Sequence, residues 1–299
     1  MIFDAALGAS SVSWSLVQPG VARVTQACAY DRAGFGWSEA GPLPRTAGRI
    51  ASELRDLLRH AGVPPPYVLV GHSFGGLVMR LFAARYRTEV AGLILLDSAH
   101  PEEWIEPAAP ERRQIERGVR MCRHGAVAAR LGIARAVAAL VHIGALGPAR
   151  ALVKLVSRGA LRGEEENILA PMWKLPPEAR RPLRRFWIEP KFFDALGSQI
   201  GSICESAREV ASATASGYGD LPLVTISATR SSAARIERQE ALARLSTRGR
   251  HLVAPDSGHW IPLDQPSFVV ETILAMVETL RGLDRRTGEQ EILDRRIGD

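Results

Sequence analysis

The chain has 299 residues, 46% hydrophobic and 23% charged, which is enough apolar sequence to bury a sizeable core in one large domain or two. Its three cysteines, Cys28, Cys122 and Cys204, lie far apart and fit no metal-ligand spacing. That pattern points away from a disulfide scaffold or zinc module and towards reduced thiols in a cytoplasmic protein. The net charge of +6 is uneven: residues 111 to 191 hold 17 Lys and Arg against 7 Glu. No aromatic-interleaved basic stripe accompanies the charge, so nucleic acid is not an expected partner, and solvated helix faces are favoured over membrane-surface contact. The start of the chain lacks a basic region followed by an apolar stretch, and no run of about 18 apolar residues occurs, so neither a leader nor a spanning helix is expected. Nothing in the sequence fixes an oligomeric state.

Up to Ala99 short apolar runs alternate with helix-like stretches, the pattern of βαβ units and a parallel sheet. Met1-Ile2-Phe3 reads as the end of a strand, 13–24 as a short helix and 25–30 as a second strand. Residues 45–60 place Ile50, Leu54, Leu57 and Leu58 at amphipathic spacing. A strand over 67–71, a helix over 74–86 and a strand over 91–97 follow. Alternation then stops, and 101–219 is helix-like and rich in Ala and Arg. Its most apolar stretch, 126–156, is interrupted by Arg130, Arg135, Arg150 and Lys154 and reads as packing or lining. The sheet pattern resumes over 222–228, with a helix at 233–246, a strand at 250–254 and a helix at 266–281. The expected organisation is a core of 1–100 and 220–282, a helical lid of 101–219 over the carboxyl ends of the strands, and a charged tail of 283–299. The tail repeats Leu-Asp-Arg-Arg at 283–286 and 293–296, too short an echo for a repeat architecture.

The apolar run Tyr67-Val68-Leu69-Val70 leads directly into Gly71-His72-Ser73-Phe74-Gly75-Gly76. This is G-x-S-x-G between a buried strand and a helix, where a tight turn pushes the serine hydroxyl out of the fold towards a base. Ser73 is therefore the expected nucleophile. Of seven histidines, His259 has the best context as its base, because Asp256-Ser257-Gly258-His259-Trp260 follows the last strand and precedes the last helix. His72 sits beside the serine but should point away from it, into packing. The acid that would hold the base is open. The loop after 222–228, Thr229-Arg230-Ser231-Ser232, contains none. Asp97, at the end of the strand after the nucleophile helix, is favoured, with Glu237, or else Asp220 or no acid at all, as the alternatives. An oxyanion hole would use the backbone N–H of Phe74 and one from the loop 5–10, with Leu7 as the candidate.

Together these residues resemble the α/β-hydrolase superfamily: Gly71-His72-Ser73-Phe74-Gly75-Gly76, Gly258-His259, and Tyr30-Asp31-Arg32-Ala33-Gly34-Phe35-Gly36-Trp37-Ser38, which is similar to the family's D-x-x-G-x-G-x-S turn. The resemblance implies an α/β-hydrolase fold, a mostly parallel sheet flanked by helices with a helical lid insertion, and gives the turn a structural role. Three departures stand out. Ala5-Ala6 replaces the family's His-Gly oxyanion signature, the usual acid position is empty, and the chain begins at what the family counts as its third strand. Two edge strands are therefore expected to be missing, through truncation or a shorter sheet.

The expected function is a serine hydrolase acting on a carboxylic ester, thioester or lactone, with a small-molecule acyl substrate and neither cofactor nor metal. Ser73 argues against the dehalogenase and epoxide-hydrolase branches, in which the resemblance leads one to expect Asp. The same motifs suit a perhydrolase or carbon–carbon hydrolase, a slow-turnover ligand binder, or an inactive truncated remnant.

Overall fold

The computed structural model describes residues 1–142, 145, 147, 148 and 173–297. Six strands form one sheet: β1 (Ile2–Asp4), β2 (Cys28–Ala29), β3 (Tyr67–His72), β4 (Val90–Leu96), β5 (Leu223–Ala228) and β6 (Gly249–Ala254). All pairs are parallel, in the order β2-β1-β3-β4-β5-β6. The central strands are apolar at nearly every position because both faces are covered, and alternation shows in which face each residue joins. Leu69, Leu93, Leu95 and Leu223 face one core with Ile50, Leu54, Leu77 and Phe82. Val68, Val70, Ile94, Leu96, Val224 and Ile226 face the other with Trp14, Val21, Val269 and Ile273.

The first core is closed by α2 (Ala47–His60) and α3 (Phe74–Arg85), the second by α1 (Gln18–Ala22) and the start of α11 (Pro266–Ile297). The amphipathic spacing predicted for 45–60 is realised in α2 at Ile50, Leu54 and Leu58, which are buried with Ala51, but not at Leu57, which is exposed; Thr46 caps the Arg49 N–H. The helix expected over 13–24 is instead a 3-10 turn, Ser11–Trp14, followed by α1, which starts with Pro19 in its first turn. Proline suits a helix start and disfavours the helical conformation in the residue before it, so the stretch divides. The strand expected over 25–30 contributes only Cys28 and Ala29 to the ladder. At the other end, the short α10 (Ile261–Asp264) leads into α11, which continues past 281 to Ile297, through the segment expected to be a separate tail; no proline interrupts it. The side chains of both Leu-Asp-Arg-Arg copies lie outside the described residues, Leu283 excepted.

Between β4 and β5 the described residues are helical: α4 (Ala109–Arg130), α5 (Ile133–His142), α6 (Pro177–Phe186), α7 (Pro190–Gly201), α8 (Ile203–Ala213) and a short 3-10 turn, Pro101–Glu103. α4 carries Arg112, Arg113, Arg117, Arg120, Arg123 and Arg130 on its solvent side. Part of the basic segment and of the apolar stretch 126–156, including Arg150 and Lys154, lies outside the described residues. α7 packs against loops at the carboxyl edge of the sheet: Phe192 meets Phe35 edge-on at 5.7 Å, and the Ser198 hydroxyl accepts from the Arg45 N–H. No described helix is long and apolar enough to cross a membrane.

Candidate active site

β3 and β4 are neighbours in register, Gly71 opposite Leu95 and His72 opposite Leu96, so the next residue of each, Ser73 and Asp97, emerges at the same sheet edge. Ser73 stands between β3 and α3 with φ 54° and ψ −117°, a conformation an L-residue holds only under strain. The turn is clamped on both sides: the Ser73 N–H donates to Leu96 O, and Ser73 O accepts from the Gly76 and Ala99 N–H groups. The tightness has a steric requirement. A Cβ on Gly75 would lie 2.5 Å from Asp4 O, and one on Gly71 would lie 2.7 Å from Gly75 O. Both positions must lack a side chain for β1 and α3 to approach the turn.

His259 arrives from the far side of the sheet, on the loop after β6. That loop is held by Asp264, whose carboxylate accepts from the Gly258 N–H at 2.8 Å and pairs with Lys174. It is also held by His72. The His72 ring is buried, and its Nε2 donates to the His259 carbonyl at 2.7 Å, since a carbonyl can only accept. Burial drives the His72 imidazole down to about 3, so the ring is neutral, with the unprotonated Nδ1 in the interior.

Three side chains meet at this edge. His259 Nδ1 lies 2.5 Å from Asp97 Oδ2, and His259 Nε2 lies 3.0 Å from Ser73 Oγ. The Asp97 carboxylate is acceptor-only, so Nδ1 carries the proton and Nε2 is left to accept from the Ser73 hydroxyl. Asp97 is 1% exposed at its side chain. Burial alone would raise its carboxyl, but the His259 hydrogen bond and the Arg235 guanidinium outweigh it and hold the group below the ordinary carboxylate range. The alternatives lie elsewhere. Glu237 is exposed on α9 (Ala233–Ala243), and Asp220 pairs with Arg87 at the surface.

Phe74 is the first residue of α3, so its N–H is one of the amides at that helix's positive end. Leu7 lies in the turn after β1, where the Ala9 N–H donates to Ala6 O. Both segments meet a residue that sequence reasoning assigned only to a structural turn. Arg32 is buried, donates to the carbonyls of Ala5 and Ala6, pairs with Asp4 at 3.4 Å and lies 5.2 Å from the Phe74 ring centroid. The Ala6 carbonyl belongs to the same planar peptide as the Leu7 N–H, so gripping one end fixes the direction of the other. Arg235 was missed altogether: its Nε donates to Asp97 Oδ1 at 2.7 Å. Among the described residues no group of acidic, His or Cys side chains is arranged to hold a metal ion.

Residues 2–121 match a family model described as the alpha/beta hydrolase fold. Among curated proteins, the chain is similar to the uncharacterized protein YqjL of Bacillus subtilis (strain 168), 36% identical over 99 residues, 33% of this chain and 39% of that protein. The matches to the first curated relatives span 15% to 39% of those proteins' lengths. Among solved structures, a thermophilic esterase from Thermogutta terrifontis is 21% identical with a TM-score of 0.63, covering 93% of this chain and 89% of the other. The epoxide hydrolase CorEH is 19% identical with a TM-score of 0.60, covering 93% and 91%. The same overall arrangement thus accommodates at least two hydrolytic chemistries, and the reaction must be argued from the site.

Proposed function

This chain belongs to the α/β-hydrolase superfamily, and on that premise we propose that it is a serine hydrolase cleaving a carboxylic ester, thioester or lactone through an acyl-enzyme. The observation that carries the reading is the unbroken line from Ser73 Oγ to His259 Nε2, at 3.0 Å, and from His259 Nδ1 to Asp97 Oδ2, at 2.5 Å. Ser73 Oγ attacks the acyl carbon while His259 Nε2 takes its proton, and Asp97 stabilises the imidazolium that forms. The Phe74 and Leu7 N–H groups receive the developing oxyanion. His259 then returns the proton to the leaving oxygen or sulfur. A water, deprotonated by the same nitrogen, releases the acid and restores the serine. A serine at this turn also separates the chain from epoxide hydrolysis, for which an aspartate nucleophile is expected there. The packing of α7 against Phe35 supports reading the described part of 101–219 as a lid over this edge.

The test needs no knowledge of the substrate. A fluorophosphonate probe, which loses fluoride to an activated serine, should label Ser73 in the full chain, and His259→Ala should abolish the labelling. Ser73→Ala should remove hydrolysis of a short acyl ester, a loss on the order of 10⁶ in kcat. Folded protein that neither labels nor hydrolyses would overturn the reading and favour a ligand-binding or inactive member of the superfamily.

A further inference from the structure

We propose that Arg235 is a positioning residue for the site, a guanidinium that grips Asp97 by both its side chain and its main chain and thereby aims the carboxylate at His259. The inference rests on the Ser73–His259–Asp97 reading above. It starts from an anomaly in the helix. Arg235 is the third residue of α9, next to the Ser232 cap, and a cation in the first turn is disfavoured by the helix dipole. It is also only 25% exposed. Something must compensate, and two carboxylates do. Nε donates to Asp97 Oδ1 at 2.7 Å, while Nη1 lies 3.6 Å from Glu103 Oε1.

The contact with Asp97 is a fork of an unusual kind. Alongside the Nε bond to the carboxylate, Nη2 donates to the Asp97 backbone carbonyl at 3.0 Å. The guanidinium is planar and rigid, so holding Oδ1 and the main-chain oxygen together fixes the carboxylate relative to the backbone, which a single donor could not do. The Asp97 backbone has φ 40°, a left-handed conformation that a non-glycine residue keeps only when its surroundings impose it. With Oδ1 occupied, Oδ2 is the oxygen left for His259 Nδ1. Each oxygen of this buried carboxylate therefore has its own partner. Without Arg235, Oδ1 would be an unpaired buried anion, free to rotate and compete for the imidazole proton.

The placement also accounts for an acid-free segment of the sequence. The turn after β5, Thr229-Arg230-Ser231-Ser232, has no carboxylate. The helix that follows presents a cation to the carboxylate at the end of β4, so acid and cation come from adjacent strand ends.

The test compares the wild-type chain with Arg235→Gln, Arg235→Lys and Arg238→Gln. Arg238 lies on the same helix and bonds the same Glu103 at 3.0 Å without touching Asp97, so it reports on the surface network alone. Two readouts are taken on protein shown to be folded by circular dichroism: the rate of fluorophosphonate labelling at Ser73, and the low-field proton resonance of the His259 Nδ1–H bond to Asp97. Arg235→Gln should slow labelling about tenfold, the loss of one charge-assisted bond at the transition state, and displace or broaden the resonance. Arg235→Lys retains a donor but not the fork and should fall between the two. Arg238→Gln should stay within about twofold of wild type, because this half-buried pair does not touch Asp97. Wild-type values of both readouts in Arg235→Gln would overturn the proposal; should that variant not fold, a wild-type rate in Arg235→Lys would overturn it. A resonance that responds to Arg235→Gln in a protein whose Ser73 never labels would leave the grip on Asp97 standing and remove the serine-hydrolase reading instead.

Discussion

Asp97 and Glu237 are both carboxylates in regions where a hydrolase acid could sit, and their surroundings separate them. Asp97 is buried, bonded by His259 and Arg235, and held below the ordinary carboxylate range, so it stays ionised wherever the imidazole could serve as a base. Glu237 lies exposed on the solvent side of α9. Replacing Asp97 by Asn keeps the volume but presents an amide that can donate to Nδ1, favouring the tautomer in which Nε2 carries the proton and cannot accept from Ser73. We expect Asp97→Asn to lower kcat by about 10⁴ on a short acyl ester, while Glu237→Gln stays within about twofold of wild type. Steady-state kinetics on both variants checks the assignment; a damaging Glu237→Gln beside a harmless Asp97→Asn would reverse it.

At the level of elements, the turn between β3 and α3 depends on close backbone approach more than on any side chain. Gly75 faces Asp4 O and Ala5 O, and an added Cβ would lie 2.5 and 2.6 Å from these backbone atoms, which cannot swing aside. Gly75→Ala should therefore push β1 from α3 and, with it, disturb the Ala6–Leu7 peptide held by Arg32. We expect a loss of about 1–3 kcal/mol in unfolding free energy, read by urea denaturation, and a larger fall in Ser73 labelling than stability alone explains. Full labelling in a folded Gly75→Ala protein would show that this approach is not required. The same elements show what the sequence made legible. β3, β4 and β5 were readable as apolar runs because both faces of each are buried, and Ser73, Asp97 and His259 because each stands at the carboxyl end of such a run or on the loop beyond it. The double piece over 11–22 was not readable, since Pro19 interrupts a weak pattern, nor was the extent of α11, whose later part carries no apolar period to mark its end. Arg235 and Arg32 were hidden for another reason. Their partners lie 138 residues away at Asp97 and 27 and 26 residues away at Ala5 and Ala6, and no local period encodes such contacts. A usable signal for Arg235 did exist: an arginine in the first turn of a helix needs an anion, and the preceding loop offers none.

For the whole molecule, the buried His72 and the half-buried His100 and His251 tie the site to global stability through pH. Burial lowers His72 to about 3 and His100 to about 4, and it lowers His251 as well, all from an ordinary value near 6.5. In each case the unfolded chain binds a proton at mildly acidic pH that the native protein refuses, so native stability falls as the pH drops below about 6.5, and continues to fall until the native-state value is reached. Asp97, held below the ordinary carboxylate range, adds a loss at lower pH, while Asp4, raised by burial, works in the opposite direction. With each fully unmatched proton worth about 1.4 kcal/mol per pH unit, His72 and His100 together should lower the unfolding free energy by about 2–4 kcal/mol between pH 7 and pH 5. Urea denaturation at the two values measures this, and His72→Gln, which cannot titrate, should remove about half of the difference. An equal pH dependence in the variant would mean that His72 is not the group responsible. The consequence reaches beyond stability, because His72 Nε2 holds the His259 carbonyl. Protonating the buried Nδ1, near pH 3, places a second N–H donor where no acceptor among the described residues faces it, and the strain is released by moving the ring or the loop it holds. Because the native ring takes that proton only near pH 3, Ser73 labelling of the folded protein should follow the same course between pH 7 and pH 5 in wild type and in a folded His72→Gln variant, and a steeper decline in wild type within that window would show that the native ring titrates far above that value.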